Sequence, residues 1–409
     1  MHFLYDLGIL AMVAGMRIAA MFNSKARLWV RGRRGILRRM EQAVEPGADI
    51  AWFHAASLGE FEQGRPLIEA LRESCPSYRI LVTFFSPSGY EIRKNYSGAD
   101  YVFYLPADTP RNVRRFMRIF RPKIAVFVKY EFWVNYLLAM KKSGTKLYLI
   151  SSIFREKQIF FRPWGGLFRR ALDAFDYIFV QNDESRALLA SIGYDRADVA
   201  GDTRFDRVSA IAAQARTLPL VENFVSGAPV FVAGSTWPPD EELLLGLIDR
   251  YRDVKFIIAP HEIDSARIES LRARIARPSV RYTQIGEQDD TSDAQVLFVD
   301  TIGVLSSVYR YGRWGYIGGG FGAGIHNTLE AAVFGLPLAF GPRYRKFREA
   351  CDLVACGGTC SVTTEDELQQ WFGELHDSGE KTDRAALACR RYVAEHKGAT
   401  ERILREICR

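Results

Sequence analysis

The most useful features of this sequence are what it lacks. Its one glycine-rich run does not follow GxGxxG, and GxxxxGK[ST] is absent, so neither a dinucleotide fingerprint nor a P-loop is present. Histidine is scarce, six in 409 residues, and so is cysteine, also six. Cys351, Cys356 and Cys360 lie close together, but their spacing fits no zinc pattern and no histidine accompanies them. The cysteines therefore read as small buried thiols of a reducing compartment, and no metal site is expected. No segment has the composition of a disordered tail, and no repeat of solenoid period occurs. Net positive charge is missing from most of the chain, because acids balance bases over residues 41–409. Residues 1–40 hold eight basic residues and one acid, which accounts for the whole net charge of +7. A basic pI confined to one patch argues against a nucleic-acid partner.

The patch follows FLYDLGILAMVAGMRIAAMF, residues 3–22, a stretch long enough to cross a bilayer. Asp6 and Arg17 make it a poor span, and the charges come after the apolar run, which argues against a cleaved signal peptide. The stretch reads as a membrane anchor, spanning or shallow, with the Lys/Arg cluster on anionic headgroups of inner-membrane lipids.

From residue 41 on, short β-type runs alternate with helical patterns. DIAWFHA (49–55), RILVTFF (79–85), IAVFVKY (124–130), KLYLIS (146–151) and YIFVQ (177–181) are mostly apolar without alternation, as in parallel strands covered on both faces. The signal fades over 206–228 and resumes with PVFVAGS, VKFIIAP, AQVLFVD, WGYIGGG and LPLAFGP. The expected organisation is an anchor with basic flank (1–40), a Rossmann-like domain (41–205), a linker (206–228), a second Rossmann-like domain (229–382) and a closing helix (383–409). In open α/β sheets ligands bind beyond the strand C-termini, so a cleft between those edges is expected.

The polar residues at those edges carry the chemistry. Three of the six histidines fall there: His54, His261 and His326. In GGGFGAGIHNTLEAA (318–332), glycines permit close backbone approach, and the following helix offers N–H groups to an anion. Asn327 and Glu330 share its first turn, either to meet a ribose and phosphate or simply as cap and reciprocal partner. Ser235 and Thr236 end a strand, where they meet a phosphate or base or else cap the next helix. Glu131 ends an apolar strand, a costly place for a carboxylate unless it is paired or it works. Glu60 follows Gly59 at a helix opening, where the dipole is expected to keep its pKa modest. Two such carboxylates suggest a base and its partner for group transfer.

These residues sit in motifs that resemble those of the 3-deoxy-D-manno-octulosonic acid (Kdo) transferase family. HAASLGE is similar to the family's HxxSxGE, TFFSPSGYE to TTxTPTG, VKYEFWVN to ETELWPN and VAGDTRFDR to GSLKFD. GSTWPPDEE, APHEIDSAR and GGGFGAGIHNTLEAA follow in the order of GSTHEGEE, VPRHPER and GGSxxxxGGHNPLEAA. The resemblance implies a GT-B glycosyltransferase, two Rossmann-like domains facing across a cleft, using CMP-Kdo and no cofactor or metal. The acceptor would be a lipid A precursor of the lipid IVA type, attacked through its 6′-hydroxyl with inversion. The site would be the cytoplasmic face of the inner membrane of a Gram-negative bacterium. Carried over, Glu60 matches the general base and Glu131 the second acid, with His54, Ser57 and Gly59 in support. Arg204, Ser235, Thr236, His261, Gly319, Gly320, His326, Asn327 and Glu330 match donor-binding positions. The chain departs from the family at Lys129 (Glu in the motif), Val134 (Pro), Arg204 (Lys), Ile325 (Gly) and Glu262, where APHEID lacks an arginine. Read without the resemblance, a GT-B enzyme using a UDP-sugar or CMP-sialic acid, and a non-catalytic membrane scaffold, remain open. The arginines of 111–123 and 160–170 are either lipid contacts or a solvated helix face.

Overall fold

The computed structural model describes residues 2–409. The chain forms two compact units: residues 2–206 together with 397–409, and residues 207–396. The first is built on a parallel sheet of β1 (Ile50–Ala55), β2 (Arg79–Phe84), β3 (Tyr101–Tyr104), β4 (Ile124–Val128), β5 (Lys146–Ser152), β6 (Tyr177–Val180) and β7 (Ala197–Val199), ordered 3-2-1-4-5-6-7. The second sheet holds β8 (Val230–Thr236), β9 (Lys255–Pro260), β10 (Ser279–Arg281), β11 (Val296–Phe298), β12 (Trp314–Ile317), β13 (Leu338–Phe340) and β14 (Thr359–Ser361), ordered 10-11-9-8-12-13-14 and also parallel. The apolar runs are thus the inner strands of two doubly covered sheets. The short strands β3, β7, β10 and β14 carry no such run in the sequence, and all four are edge strands whose residues are largely half-buried.

β1 shows how the pattern becomes a core. Aromatic and branched residues suit an extended chain, and all six are buried. Alternation sends Ile50 and Trp52 to one face, among Leu81, Phe127 and Leu149, while Ala51 and Phe53 meet Val82, Val126 and Ile150 on the other. Each large apolar side chain so buried contributes about 1.5–3 kcal/mol. Seven helices order the first half of this unit: α1 (His2–Ala19), α2 (Ser24–Arg33), α3 (Ile36–Ala43), α4 (Leu58–Ser74), α5 (Pro87–Arg93), α6 (Pro110–Phe120) and α7 (Val134–Ser143). α6 starts where Thr109 caps the Asn112 N–H and Pro110 needs none. It buries Val113, Phe116 and Phe120 on the sheet and exposes Arg111, Arg114 and Arg118.

The chain differs from the sequence-based expectation in three places. The presumed linker over 206–228 is largely helical, Arg204–Ala213 and Pro219–Val225, because Phe205, Val208, Val221 and Phe224 are buried anchors. The single closing helix over 383–409 is two helices, Gly379–Glu395 and Ala399–Ile407, broken where Gly398 turns left-handed at φ 104°. The second returns to the first unit, placing Ile403 and Ile407 in the core beside α4 and β1. Of the six cysteines only Cys389 is buried; none is disulfide-bonded.

Asp206 secures that return. Its carboxylate accepts the Gly398 N–H at 2.6 Å, the Thr400 N–H at 2.7 Å and the Thr400 hydroxyl at 2.8 Å, capping the helix from another segment. Asp206→Ala is expected to cost about 1–2 kcal/mol, the range of a lost helix cap. The check is a lower urea midpoint at unchanged slope.

Candidate functional site: two strand-end clusters at the sheet switch points

In each sheet the strand order reverses direction at one place, between β1 and β4 in the first and between β8 and β12 in the second. Neighbouring loops diverge there and leave room for a ligand. Most of the residues singled out from the sequence fall at these two positions.

In the first unit the chain of contacts begins in the core. The Trp52 indole N–H donates to Thr83 Oγ1 at 2.7 Å, and the Thr83 hydroxyl reaches His54 Nδ1 at 2.8 Å. His54, with no exposed surface, turns Nε2 to Glu131 Oε2 at 3.0 Å. The Trp133 indole N–H donates to the same oxygen at 2.7 Å. A carboxylate left at a strand end by an apolar run is thus paired and hydrogen-bonded, as burial demands. Its Oε1 accepts no hydrogen bond among the described residues.

Glu60 is the third residue of α4. Its Oε2 accepts the Ser57 backbone N–H at 3.0 Å and the Ser57 hydroxyl at 3.4 Å, the reciprocal half of a capping box. The expectation of a modest pKa fails. Burial pushes the Glu60 carboxyl above its ordinary value, the nearby charge of Glu131 pushes it further, and Lys129 and His54 only partly offset the two. Desolvation therefore outweighs the helix dipole. The support roles also divide: Ser57 holds Glu60, whereas His54 holds Glu131. Gly59 is no hinge, since it lies inside α4 and a side chain there would meet open space. Lys129, directly after β4, is instead the strained position, left-handed at φ 61°. Arg204 opens the helix Arg204–Ala213 and closes its Nε and Nη2 on Asp202 at 2.8 and 2.7 Å. It belongs to the first unit.

The second unit has its own cluster. Ser235 takes the left-handed region at φ 55°, which turns the neighbouring Thr236 inward. Thr236 is fully buried and its hydroxyl donates to Glu241 at 2.9 Å, so of the pair only Ser235 is presented outward. Neither residue caps the following helix Pro238–Arg250; Asp240 does, accepting the Trp237 N–H at 2.9 Å. Asp240 also receives the Gly319 N–H at 2.9 Å and the Tyr316 hydroxyl at 2.9 Å, pinning the glycine loop to the helix start. Glycine is required at 318 and 320, where a Cβ would lie 2.2 Å from the Ser235 oxygen and 2.5 Å from Gly341. The loop folds back so that the His326 N–H bonds the Gly318 carbonyl at 3.0 Å.

Trp237 and His326 then form a hydrogen-bonded pair, indole N–H to His326 Nε2 at 3.0 Å. His261 stacks on both, 4.8 Å from Trp237 and 4.2 Å from His326, ring centroid to centroid. Because Nε2 must accept, the neutral ring carries its proton on Nδ1. Burial, with His261 alongside, pushes His326 down to about 4. Trp237 escaped the sequence reading; the signal was an aromatic residue directly after Ser235 and Thr236, where the family motif has histidine. Asn327 accepts the Leu329 N–H at 3.2 Å and donates to Glu330 at 3.0 Å, a local side-chain turn rather than the expected reciprocal cap, since the N-cap is Thr328. The helix that follows is a single turn, Leu329–Ala332, cut short by Gly335 and Pro337. The expected dipole-driven anion site at that helix start is therefore absent.

Two parallel sheets with polar clusters at their switch points form two Rossmann-like units, the GT-B fold. The fold is shared with UDP-GlcNAc 2-epimerase from Neisseria meningitidis, at a TM-score of 0.61 and 15% identity over 88% of this chain and 99% of that one. The calicheamicin glycosyltransferase CalG4 gives 0.54 and 12% over 88% and 98%. Residues 29–207 match the family model described as 3-deoxy-D-manno-octulosonic-acid transferase (kdotransferase). Among curated relatives, the 3-deoxy-D-manno-octulosonic acid transferase of Bordetella pertussis is 27% identical over 89% of this chain and 88% of its own length. That of Aquifex aeolicus is 28% identical over 79% and 85%. Over most of its length the chain is thus similar to Kdo transferases.

The Trp237 pair makes a spectroscopic prediction. In the intact protein His326 should stay neutral with the proton on Nδ1 at every pH above about 5, as read by multiple-bond 15N NMR of labelled histidine. Trp237→Phe should release Nε2 and give a mixed tautomer, while burial and His261 keep the titration low.

Proposed function

We propose that this chain transfers Kdo from CMP-Kdo to a hydroxyl of a lipid A precursor of the lipid IVA type, with inversion and without a metal. The observation that carries the reading is Glu60, a carboxylate at a switch point made more basic by burial and by Glu131. The family's acceptor position, the 6′-hydroxyl, is the attacking group. Its oxygen forms the new bond to the anomeric carbon while its proton passes to Glu60. The bond from that carbon to the CMP phosphate oxygen breaks, and CMP departs with the electron pair. A carboxylate base contributes about 10²–10⁴-fold in rate, and its strength rises with its pKa.

The second unit supplies the donor contacts. Ser235 and the Nδ1–H of His326 are neutral donors for a developing phosphate charge. The outer face of His261 is a stacking surface for a pyrimidine, and Glu330, held by Asn327, is an acceptor for ribose hydroxyls. Thr236, facing inward, serves by shaping the strand end. Arg204, engaged with Asp202, supports the fold of the first unit. α1 and its basic flank keep the enzyme on the inner membrane, where the lipid acceptor resides.

Glu60→Gln should lower transfer at least 10²-fold while CMP binding, followed by calorimetry, is retained. Loss of both with a folding defect would make Glu60 structural. The pH profile of kcat/KM gives the sign. Because Glu60 acts deprotonated and its pKa is raised, the rate should fall with decreasing pH at a value above the ordinary carboxylate range. Glu131→Gln removes a charge that raises that pKa, so the acid limb should move to lower pH. UDP-sugar selectivity in a donor panel would overturn the reading.

A further inference from the structure

α1 has the length and composition of a membrane span, and only Ile9 is buried. Its first turn is nevertheless bolted to the first unit. The Tyr5 hydroxyl donates to Asp108 at 2.6 Å and accepts the Val134 N–H at 3.2 Å. Asn135 Nδ2 donates to Asp6 at 2.8 Å, and His2 Nε2 meets Asn135 Oδ1 at 2.8 Å. Asp108 is buried, its pKa pushed up to about 6 by desolvation, and it also accepts the Asn135 and Tyr136 N–H groups. Val134 occupies the motif position of a proline, which has no N–H to give Tyr5. A spanning α1 would carry this turn about 17–22 Å from Arg17, deep into the hydrocarbon. Every one of these bonds would break, and Asp6 would have to enter or cross the lipid.

The other side of the helix is apolar and open. Phe3, Leu4, Leu7, Leu10 and Ile18 are spaced three, four and eight apart on one face and are 53–76% exposed; Met21 and Phe22 continue it. Next to that face, α1, α2 and α3 enclose a cavity of about 750 Å³ lined by Arg17, Arg27, Arg31, Arg34, Arg38 and Arg115. No acidic residue lines it. An apolar strip beside a purely cationic recess is complementary to an anionic lipid surface.

We propose that α1 lies flat in the membrane interface, its outer face among the acyl chains, with a lipid phosphate drawn into the arginine-lined cavity. The proposal rests on the reading that the enzyme works at a membrane, but it does not depend on the sugar transferred. The test uses the full chain with an N-terminal epitope tag in sealed inverted inner-membrane vesicles. Protease added outside should remove the tag together with the globular units; a protected tag means that α1 spans, and overturns the proposal. With phosphatidylcholine vesicles carrying phosphatidylglycerol, Leu7→Glu/Leu10→Glu should release the protein. Arg31→Glu/Arg34→Glu should weaken binding at least tenfold on anionic vesicles only. Binding indifferent to the anionic lipid would overturn the cavity assignment. Transfer measured in detergent is a separate readout: its absence with the topology intact would sink the Kdo reading alone.

Discussion

His54 is the fixed point from which the first unit's site hangs. It has no exposed surface, and it faces two ways: Nδ1 into the core through Thr83 and Trp52, Nε2 outward to Glu131. The sheet therefore sets where the Glu131 carboxylate stands, to within the tolerance of three short hydrogen bonds. Burial raises the basicity of Glu60, and the Glu131 charge raises it further. A residue that touches no substrate thus reaches the chemistry through two others. The same site has a second tether. Arg33 of α2 lies 3.9 Å over the Trp29 ring and donates to the carbonyls of Phe85 and Leu105, and the Phe85 ring meets Trp133 at 4.9 Å. Trp133 ends on Glu131, so the basic N-terminal helices and the carboxylate belong to one packed network.

The second unit solves the equivalent problem with an acid. Asp240 caps a helix, holds Gly319 and receives Tyr316, all from one side chain. That places the glycine loop, and through Gly318 the His326 ring, without any contact from His326 to the core itself. Both sheets put a left-handed non-glycine residue at a switch-point strand end, Lys129 and Ser235. Lys129 follows β4 and Ser235 lies near the end of β8, so each switch point holds one sparsely populated backbone conformation fixed by the structure around it.

Much of this was legible beforehand, for identifiable reasons. Doubly buried strands leave unbroken apolar runs, so β1, β2, β4, β5, β8 and β9 could be read directly, while three-residue strands such as β7 and β10 leave too little pattern to see. Glu60, Glu131, His326 and Asn327 were found because polar groups at strand ends stand out against the apolar runs before them. What stayed hidden depended on partners distant in sequence. The rise in Glu60's pKa comes from burial and a residue 71 positions away; the inward turn of Thr236 comes from Ser235's backbone. Helix-forming composition in 383–409 gave no warning that Gly398 would break it, because the left-handed turn is held by Asp206, nearly two hundred residues earlier.

That return of the last helix has a consequence for how the protein is made. The first unit encloses the second in the order of synthesis, and Ile403 and Ile407 complete its core only at the very end of the chain. At about 5–20 residues per second, the α4 face of the first sheet waits on the order of tens of seconds for its cover while residues 207–396 emerge. During that interval the second unit, continuous in sequence, has everything its own core requires. The unit that is begun first is finished last, and a ribosome that stalls after residue 396 releases one closed domain and one still open.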